Sequence, residues 1–400
     1  MNEELALKRT LTLPLVTFYG IGGIVGAGIY VLIGEVAGVS GKGVAMAFLL
    51  AGVIAGLTGA TYAELSSRFP KSAGAALFVD EAFNRPQFSR LIAAMLLFTG
   101  VISSAAIAQG FVGYFQLYVP LTDNAVLIML CLLMFAVASW GIKESAWLIS
   151  IITLIEVGGL LLIIFQTSTL PMKANVSAVF DFSSPGTIVI GSFIAFYAFI
   201  GFEDMVNVAE EVKDPHRTMP KGILLAVVIS SLLYMGVAIV AILFVDLDAI
   251  AASTSPLTLM VGQSETLIVI ISLISMVAIV NGALVQIIMS SRVLYGMAMR
   301  NLLPPVFATL NQRTQTPVIN TLLTTVVILI LAIFFPLVAL AKATSAMMLF
   351  IFIVVNGSLI TIKWRERDGR GFQGFSVPLV IPCLGFASSV MLLVAQAILD

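Results

Sequence analysis

Long apolar runs with few charged residues dominate this 400-residue chain. The first run extends from Leu11 to Ile33 and contains no Asp, Glu, Lys or Arg. Only 10% of all residues are charged, whereas soluble domains average about 25%. An apolar run of about 20 residues is long enough to cross a bilayer as a helix. The sequence therefore predicts an all-α polytopic membrane protein, and it lacks the alternating segments typical of a membrane β-barrel.

We predict eleven membrane-spanning helices in a single transmembrane domain over 1–400, joined by short segments. The predicted spans are 12–33, 43–67, 90–117, 124–141, 146–166, 187–210, 221–245, 266–297, 318–336, 339–362 and 377–399. If the chain starts in the cytoplasm, all 20 Lys and Arg residues except Lys42, Lys173 and Lys342 fall on the cytoplasmic side. Because cytoplasmic loops carry an excess of Lys and Arg, we expect a cell-membrane protein with a cytoplasmic N-terminus. The chain begins Met-Asn-Glu-Glu, without the basic region of a secretory signal, so the first helix should be retained.

Two of the predicted spans are interrupted by glycine. The first span contains a glycine cluster, namely Gly20, Gly22, Gly23, Gly26 and Gly28. Each glycine weakens a helix by about 1 kcal/mol relative to alanine, so this span can unwind, although small residues also allow close helix packing. The sixth span contains Gly201. Interrupted helices five spans apart are typical of an inverted repeat, which predicts halves at 12–166 and 187–362, with 377–399 as an additional helix.

Acidic residues inside the apolar spans are the main candidates for function. Glu156, Glu203 and Asp204 lie within spans, and Glu64 lies near the end of the second span. Because an ionised group is costly in the bilayer, an intramembrane acid can carry a proton or coordinate a cation. Each acid also has a structural interpretation. Backbone N–H groups could hold Glu203, a neighbouring helix could bond Glu156, and Arg68 lies four residues after Glu64, where a local helix pair forms.

Five motifs, in this order, together carry a resemblance that covers nearly the whole chain. They are Ile24-Val-Gly-Ala-Gly-Ile-Tyr30, Tyr62-Ala-Glu-Leu-Ser-Ser-Arg-Phe-Pro-Lys-Ser-Ala-Gly74, Gly141-Ile-Lys-Glu-Ser-Ala146, Phe199-Ile-Gly-Phe-Glu203 continuing to Ala209-Glu-Glu-Val-Lys-Asp-Pro215, and Ser290-Ser-Arg-Val-Leu-Tyr-Gly-Met-Ala298. The chain resembles the amino acid permeases of the amino acid–polyamine–organocation (APC) superfamily. The resemblance implies a leucine-transporter-like fold with 5+5 inverted repeats, broken helices one and six, and alternating access.

The resemblance also implies a substrate site at the two breaks. The substrate carboxylate would bind backbone N–H groups at Gly26, Ala27 and Gly28, which agrees with the preference of helix N-termini for anions. The substrate ammonium would bind carbonyl groups near Phe199, Ile200 and Gly201, and Tyr197 would gate the site. The predicted substrate-binding residues are Val25, Gly26, Ala27, Gly28, Tyr197, Phe199, Ile200 and Gly201.

The chain departs from the family pattern in three ways. One is that Ala27 lacks a hydroxyl group seen in some relatives, so the substrate carboxylate would rely on the backbone alone. Some members place a protonatable lysine in helix five, and Glu156 falls there. If Glu156 is the proton site, its side chain is neutral when the proton is bound and anionic after the proton has left, whereas a lysine is cationic and then neutral. The family usually has twelve or more helices, so with eleven the formation of a homodimer through the last helices stays open.

The sequence therefore predicts a secondary active transporter that moves amino acids by proton-coupled symport, with Glu156 or Glu203 taking the proton. Exchange of amino acids or polyamines is the alternative within this class, and sodium coupling is also open because Glu156 is a plausible ligand. The apolar side chains of Val25, Ile200 and Phe202 favour a neutral or apolar substrate.

Other classes of protein have less support in the sequence. An ion channel would line its pore with symmetric rings, whereas these acids lie in one asymmetric chain. An enzyme is not predicted, because His216 is the single histidine and no phosphate-binding loop for ATP is present. Cys131 and Cys383 lack metal spacing, so we expect no metal site and no cofactor. The expected partners are a small amino acid, protons and the lipid bilayer, with no nucleic acid.

Overall fold

A computed structural model of the protein describes residues 9–26, 28–71, 74–140, 146–299, 303–366 and 372–399. Its α-helices are α1 Leu13–Val25, α2 Gly28–Ser40, α3 Val44–Arg68, α4 Gly74–Phe83, α5 Pro86–Gln116, α6 Asp123–Trp140, α7 Ala146–Ser168, α8 Pro185–Phe196, α9 Pro215–Phe244, α10 Leu247–Ala252, α11 Pro256–Leu259, α12 Glu265–Met299, α13 Val318–Phe334, α14 Leu337–Arg365 and α15 Val380–Leu399. Short 3₁₀ segments join several of these helices. They are Gly41–Gly43, Val176–Phe180, Tyr197–Phe199, Phe202–Glu211 and Pro305–Ala308.

The helices confirm the predicted all-α polytopic class. Within the described ranges, nine helical stretches are long and apolar enough to cross a membrane. One of them, Leu13–Arg68, covers the first two predicted spans, and the shorter apolar helix Val318–Phe334 matches the ninth. The sequence did not predict the short helices α4, α10 and α11. The division of the chain into two inverted repeats stays a prediction.

Proline places several helix starts. Pro86, Pro185, Pro215 and Pro256 each occupy the first turn of a helix. Proline fits there because its missing N–H would have no partner within the helix. The third span therefore begins at Pro86, four residues earlier than its predicted start.

The interrupted helices lie among the longer ones. Helix α1 packs against α7 and α9, and α3 packs against α8 and α9. Helix α5 packs against α12 and α14. Large apolar side chains such as Leu132, Leu232 and Phe334 are exposed on the outside, where lipid would cover them. We call the end of the bundle at which α1 begins the basic face.

Candidate functional site: two helix breaks and the acids around them

The first break separates α1 from α2. Helix α1 ends at Val25, and Gly26 takes φ −24° and ψ −114°, outside the helical region. The Gly26 N–H still bonds to the Gly22 carbonyl at 3.1 Å, and α2 starts at Gly28. Ala27, one of the predicted carboxylate ligands, lies outside the described residues, as does the motif at 141–145. Val25, Gly26 and Gly28 lie at the break and are buried.

The second break follows α8. After the single 3₁₀ turn Tyr197–Phe199, Ile200 is extended and Gly201 takes φ +131°. This left-handed value is rarely adopted by residues with a side chain, which explains the glycine. The chain then continues as a ten-residue 3₁₀ helix, Phe202–Glu211. Runs of this helix type beyond three or four residues are uncommon and often mark a functional hinge.

The two breaks cross each other with backbone against backbone. A Cβ at Gly201 would overlap the Gly23 carbonyl, and one at Gly28 would overlap Ala198. A Cβ at Gly22 would likewise overlap the side-chain hydroxyl group of Thr153 on α7. The glycines of the first span therefore serve both predicted purposes, since the helix is interrupted and its neighbours approach closely.

Tyr234 on α9 ties the two breaks together. Its hydroxyl group lies 2.7 Å from the Ile24 carbonyl and 2.9 Å from the Ala198 carbonyl, where it can donate. Its ring packs edge-to-face on Phe199, with 5.0 Å between centroids. The tyrosine thereby satisfies carbonyl groups that the interrupted helices leave free. Sequence reasoning missed it because Tyr234 lies in an ordinary apolar helix with no motif around it.

Glu203 stabilises the second break. Its Oε2 accepts the Gly201 N–H at 2.8 Å, and the residue is almost fully buried. Asp204 accepts long bonds from Asn207 at 3.4 Å and from Gln286 of α12 at 3.3 Å. The predicted structural interpretation of Glu203 therefore has a geometric basis.

A cavity of about 400 Å³ runs from the second break toward the basic face. Helices α5, α12 and α14 surround it, and its lining includes Ser103, Ile200, Glu203, Asp204, Gln286 and Arg292. The Tyr197 hydroxyl group lies 2.9 Å from both the hydroxyl and the carbonyl oxygen of Ser103, beside the innermost part of the cavity. Phe202, predicted as a pocket residue, is instead fully buried against Tyr62 and Phe352. The cavity lining is therefore more polar than the predicted pocket residues.

Glu156 lies behind the first break, on α7. The residue is fully buried, and neither carboxylate oxygen has a hydrogen-bond partner within the described part of the chain. The Thr153 hydroxyl, one turn earlier, is also buried and unpartnered there. Asn281 of α12 approaches the carboxylate without reaching hydrogen-bond geometry. The Tyr30 hydroxyl group donates to the Glu156 backbone carbonyl at 2.7 Å, which fixes α7 against α2.

Glu64 shows the opposite arrangement. It is also fully buried, and its carboxylate pairs with Arg68 at 2.7 Å and with Lys363 of α14 at 2.9 Å. The Val377 N–H donates a further bond at 2.8 Å. The predicted helix pair with Arg68 is confirmed, and Lys363 and Val377 are partners that the sequence did not reveal.

Comparisons with known proteins agree with this architecture. The profile of a family described as "Amino acid permease" matches residues 11–399. The "Cationic amino acid transporter 2, vacuolar" of Arabidopsis thaliana is 32% identical, over 90% of this chain and 61% of the relative. The "Methylthioribose transporter" of Bacillus subtilis (strain 168) is 30% identical, over 95% of this chain and 86% of the relative. The "Branched-chain amino acid permease BcaP" of the same organism is 26% identical, over 98% and 89%. The chain thus spans 61% to 64% of the length of three plant relatives.

Proposed function

Since this chain belongs to the amino acid permease family, we propose that it is a multi-pass secondary transporter which moves amino acids by alternating access, driven by protons. The proton carrier in this proposal is Glu156. The observation that carries the assignment is a fully buried carboxylate, directly behind a helix break, whose oxygens have no partner among the described residues.

Electrostatics explains why such a group would bind a proton. Burying an unpaired carboxylate costs several kcal/mol, and protonation removes most of that cost because it neutralises the charge. The loaded carrier is therefore neutral inside the closed site. When the break beside Glu156 opens to water, hydration stabilises the ionised carboxylate and the proton can leave. Because Gly22 and Thr153 are in direct contact, movement of α1 would change the surroundings of Glu156. Proton release would then be linked to the movement of the broken helix.

Glu203 has a different role in this proposal. Its carboxylate holds the Gly201 N–H, so it supports the geometry of the second break. It also lines the cavity together with Asp204. We therefore assign Glu203 to the break and to the substrate path, and Glu156 to the proton.

The substrate would bind where the two breaks cross. The backbone N–H group of Gly28, at the N-terminus of α2, is suited to its carboxylate, whereas the Gly26 N–H is already bonded to the Gly22 carbonyl. Glu203 and Asp204 are part of the cavity lining and favour a substrate with a basic side chain, while apolar residues such as Leu96 and Met348 form the rest of the wall. The names of the plant relatives include cationic amino acids, whereas a bacterial relative is named for branched-chain amino acids. An amino acid with a basic side chain is therefore the first substrate to test.

Exchange is the second candidate function. The cavity continues toward the basic face, where Arg292 lines it. A transporter whose site is accessible from that side can load a second substrate there before it returns.

The bias of Lys and Arg toward this face supports a cytoplasmic N-terminus. The membrane would be the cell membrane in a prokaryote, although two plant relatives are named as vacuolar and mitochondrial.

Uptake into sodium-free proteoliposomes tests the proposal. Labelled arginine, lysine and leucine are offered under an imposed inward proton gradient, with protein-free liposomes as the control. We expect accumulation of the basic amino acids that collapses with a protonophore. Accumulation that requires preloaded amino acid and does not depend on the proton gradient would establish exchange and contradict proton coupling. If nothing accumulates without sodium and uptake appears when sodium is added, the coupling ion is a metal cation and not a proton.

A further inference from the structure

A groove on the basic face concentrates positive charge. It lies between the turn that joins α4 to α5 and the end of α14, and its volume is about 920 Å³. Arg85, Arg90 and Arg365 line it. The rings of Phe83 and Phe88 also line it and pack edge-to-face, with 5.6 Å between centroids. We call this feature the arginine groove.

Among the described residues, the three guanidinium groups lack the acid partners that Arg68, Lys363 and Arg217 have. Arg68 pairs with Glu64 and Glu366, Lys363 pairs with Glu64, and Arg217 lies 4.0 Å from Asp214. Arg365 is two residues from Lys363, yet neither it nor Arg85 nor Arg90 forms an ion pair with any carboxylate of the described chain. No carboxylate in the described ranges therefore compensates the charge of the groove.

Helix stability does not explain two of these arginines. Arg85 is the N-cap of α5, and Arg90 lies in the second turn of that helix. Cations near a helix N-terminus are unfavourable because the partial charge there is already positive. An anion in the groove would be attracted both by the arginines and by the start of α5. The groove therefore has the electrostatics of an anion site.

The position of the groove selects the source of the anion. Helix α5 has 31 residues and is about 46 Å long, whereas the hydrocarbon core of a bilayer is about 30 Å thick. Its first turns therefore extend into the layer of lipid headgroups. Leu91, next to Arg90, is 51% exposed, and Trp364, next to Arg365, is 66% exposed. These side chains offer apolar surface to acyl chains, and tryptophan is enriched at this depth.

We propose that the arginine groove binds the phosphate of an anionic phospholipid in the leaflet at the basic face. Guanidinium groups match phosphate oxygens with paired hydrogen bonds, and basic pockets between membrane helices receive such headgroups. A soluble phosphate shares this chemistry, but it would leave the exposed Leu91 and Trp364 without a role. The inference does not depend on which solute the protein transports.

Lipid binding to the purified full-length protein tests the proposal. Native mass spectrometry measures retention of phosphatidylglycerol against phosphatidylcholine, with inorganic phosphate added in a separate arm. The variants are Arg85→Gln, Arg90→Gln, Arg365→Gln and the triple combination. Arg313→Gln removes an exposed charge from the same face outside the groove and is the matched control. We expect each groove variant to weaken phosphatidylglycerol binding by about fivefold, and the control to leave it unchanged.

Three results would overturn the proposal. They are unchanged phosphatidylglycerol binding in the triple variant, an equal loss in Arg313→Gln, and displacement of the lipid by inorganic phosphate. The last result would assign the groove to a soluble anion. Because all three arginines are exposed, the variants should fold, and a thermal unfolding curve like that of the unsubstituted protein verifies this.

Discussion

Glu64 and Glu156 are both fully buried, but their surroundings differ completely. Glu64 contacts two cations and a backbone N–H. Glu156 has no hydrogen-bond partner for its carboxylate among the residues described. The first carboxylate is held in place by the protein, whereas the second has free oxygens that a proton or a cation can satisfy.

This difference shows that burial alone does not identify a functional acid. A buried carboxylate with complete partners joins elements, and here it connects α3, α14 and the segment before α15. A buried carboxylate without partners keeps a cost that an exchangeable ligand can remove. Substitutions at Glu64, at two buried tyrosines and at Thr153 test this difference between buried groups with and without partners.

The largest effect is expected for Glu64→Gln. The substitution removes the acid partner of Lys363 and leaves Arg68 with the half-exposed Glu366 alone, and breaking a buried ion pair costs about 3 kcal/mol or more. Thermal unfolding in detergent should show a clear fall in midpoint. Glu366→Gln is the matched control, since it removes the half-exposed partner of Arg68 and should cost at most about 1 kcal/mol. Equal stability of the two variants would show that the buried ion pairs of Glu64 do not hold these helices together.

A smaller effect is expected at two buried tyrosines. Tyr234→Phe removes a hydroxyl group that satisfies the Ile24 and Ala198 carbonyls, and should cost about 1–3 kcal/mol. The Tyr62 hydroxyl group is buried without a partner in the described structure, so Tyr62→Phe should leave the unfolding midpoint unchanged or raise it. If both variants lose the same stability, hydrogen-bond satisfaction does not explain how the breaks are held.

The smallest effect is expected for Thr153→Val. Valine keeps the shape of threonine and removes a buried hydroxyl group that has no partner among the described residues. A proton site needs only the carboxylate, so stability should change by less than about 1 kcal/mol and proton-driven uptake should persist. A sodium site would lose an oxygen ligand, because such cations are bound by several oxygens. Loss of uptake in Thr153→Val would therefore favour a metal cation at Glu156.

Local patterns in the sequence predicted much of the fold. The apolar runs placed the spans, and glycine marked both breaks, at Gly26 and at Gly201. The spacing of Glu64 and Arg68 predicted their ion pair. These features depend on residues that are neighbours along one helix, so they can be read from one stretch of sequence.

Contacts between distant residues could not be predicted in this way. Lys363 reaches Glu64 across the bundle, and Tyr234 reaches both breaks from α9. That the Glu156 carboxylate has no partner among the described residues is likewise a property of the packed structure, since it depends on what α1 and α12 present to α7. The cavity lining could not be predicted for the same reason, because Asp204 and Gln286 meet only after folding.

The most direct test of the account measures coupling in Glu156→Gln and Glu203→Gln side by side. Glutamine at 156 imitates the permanently loaded neutral acid, and glutamine at 203 can still accept the Gly201 N–H. Each variant is assayed for proton-driven accumulation and for counterflow of labelled substrate without any gradient. We predict that Glu156→Gln loses accumulation but keeps counterflow, and that Glu203→Gln keeps proton-driven accumulation. Normal accumulation in Glu156→Gln, or loss of coupling in Glu203→Gln alone, would contradict the assignment of the proton to Glu156.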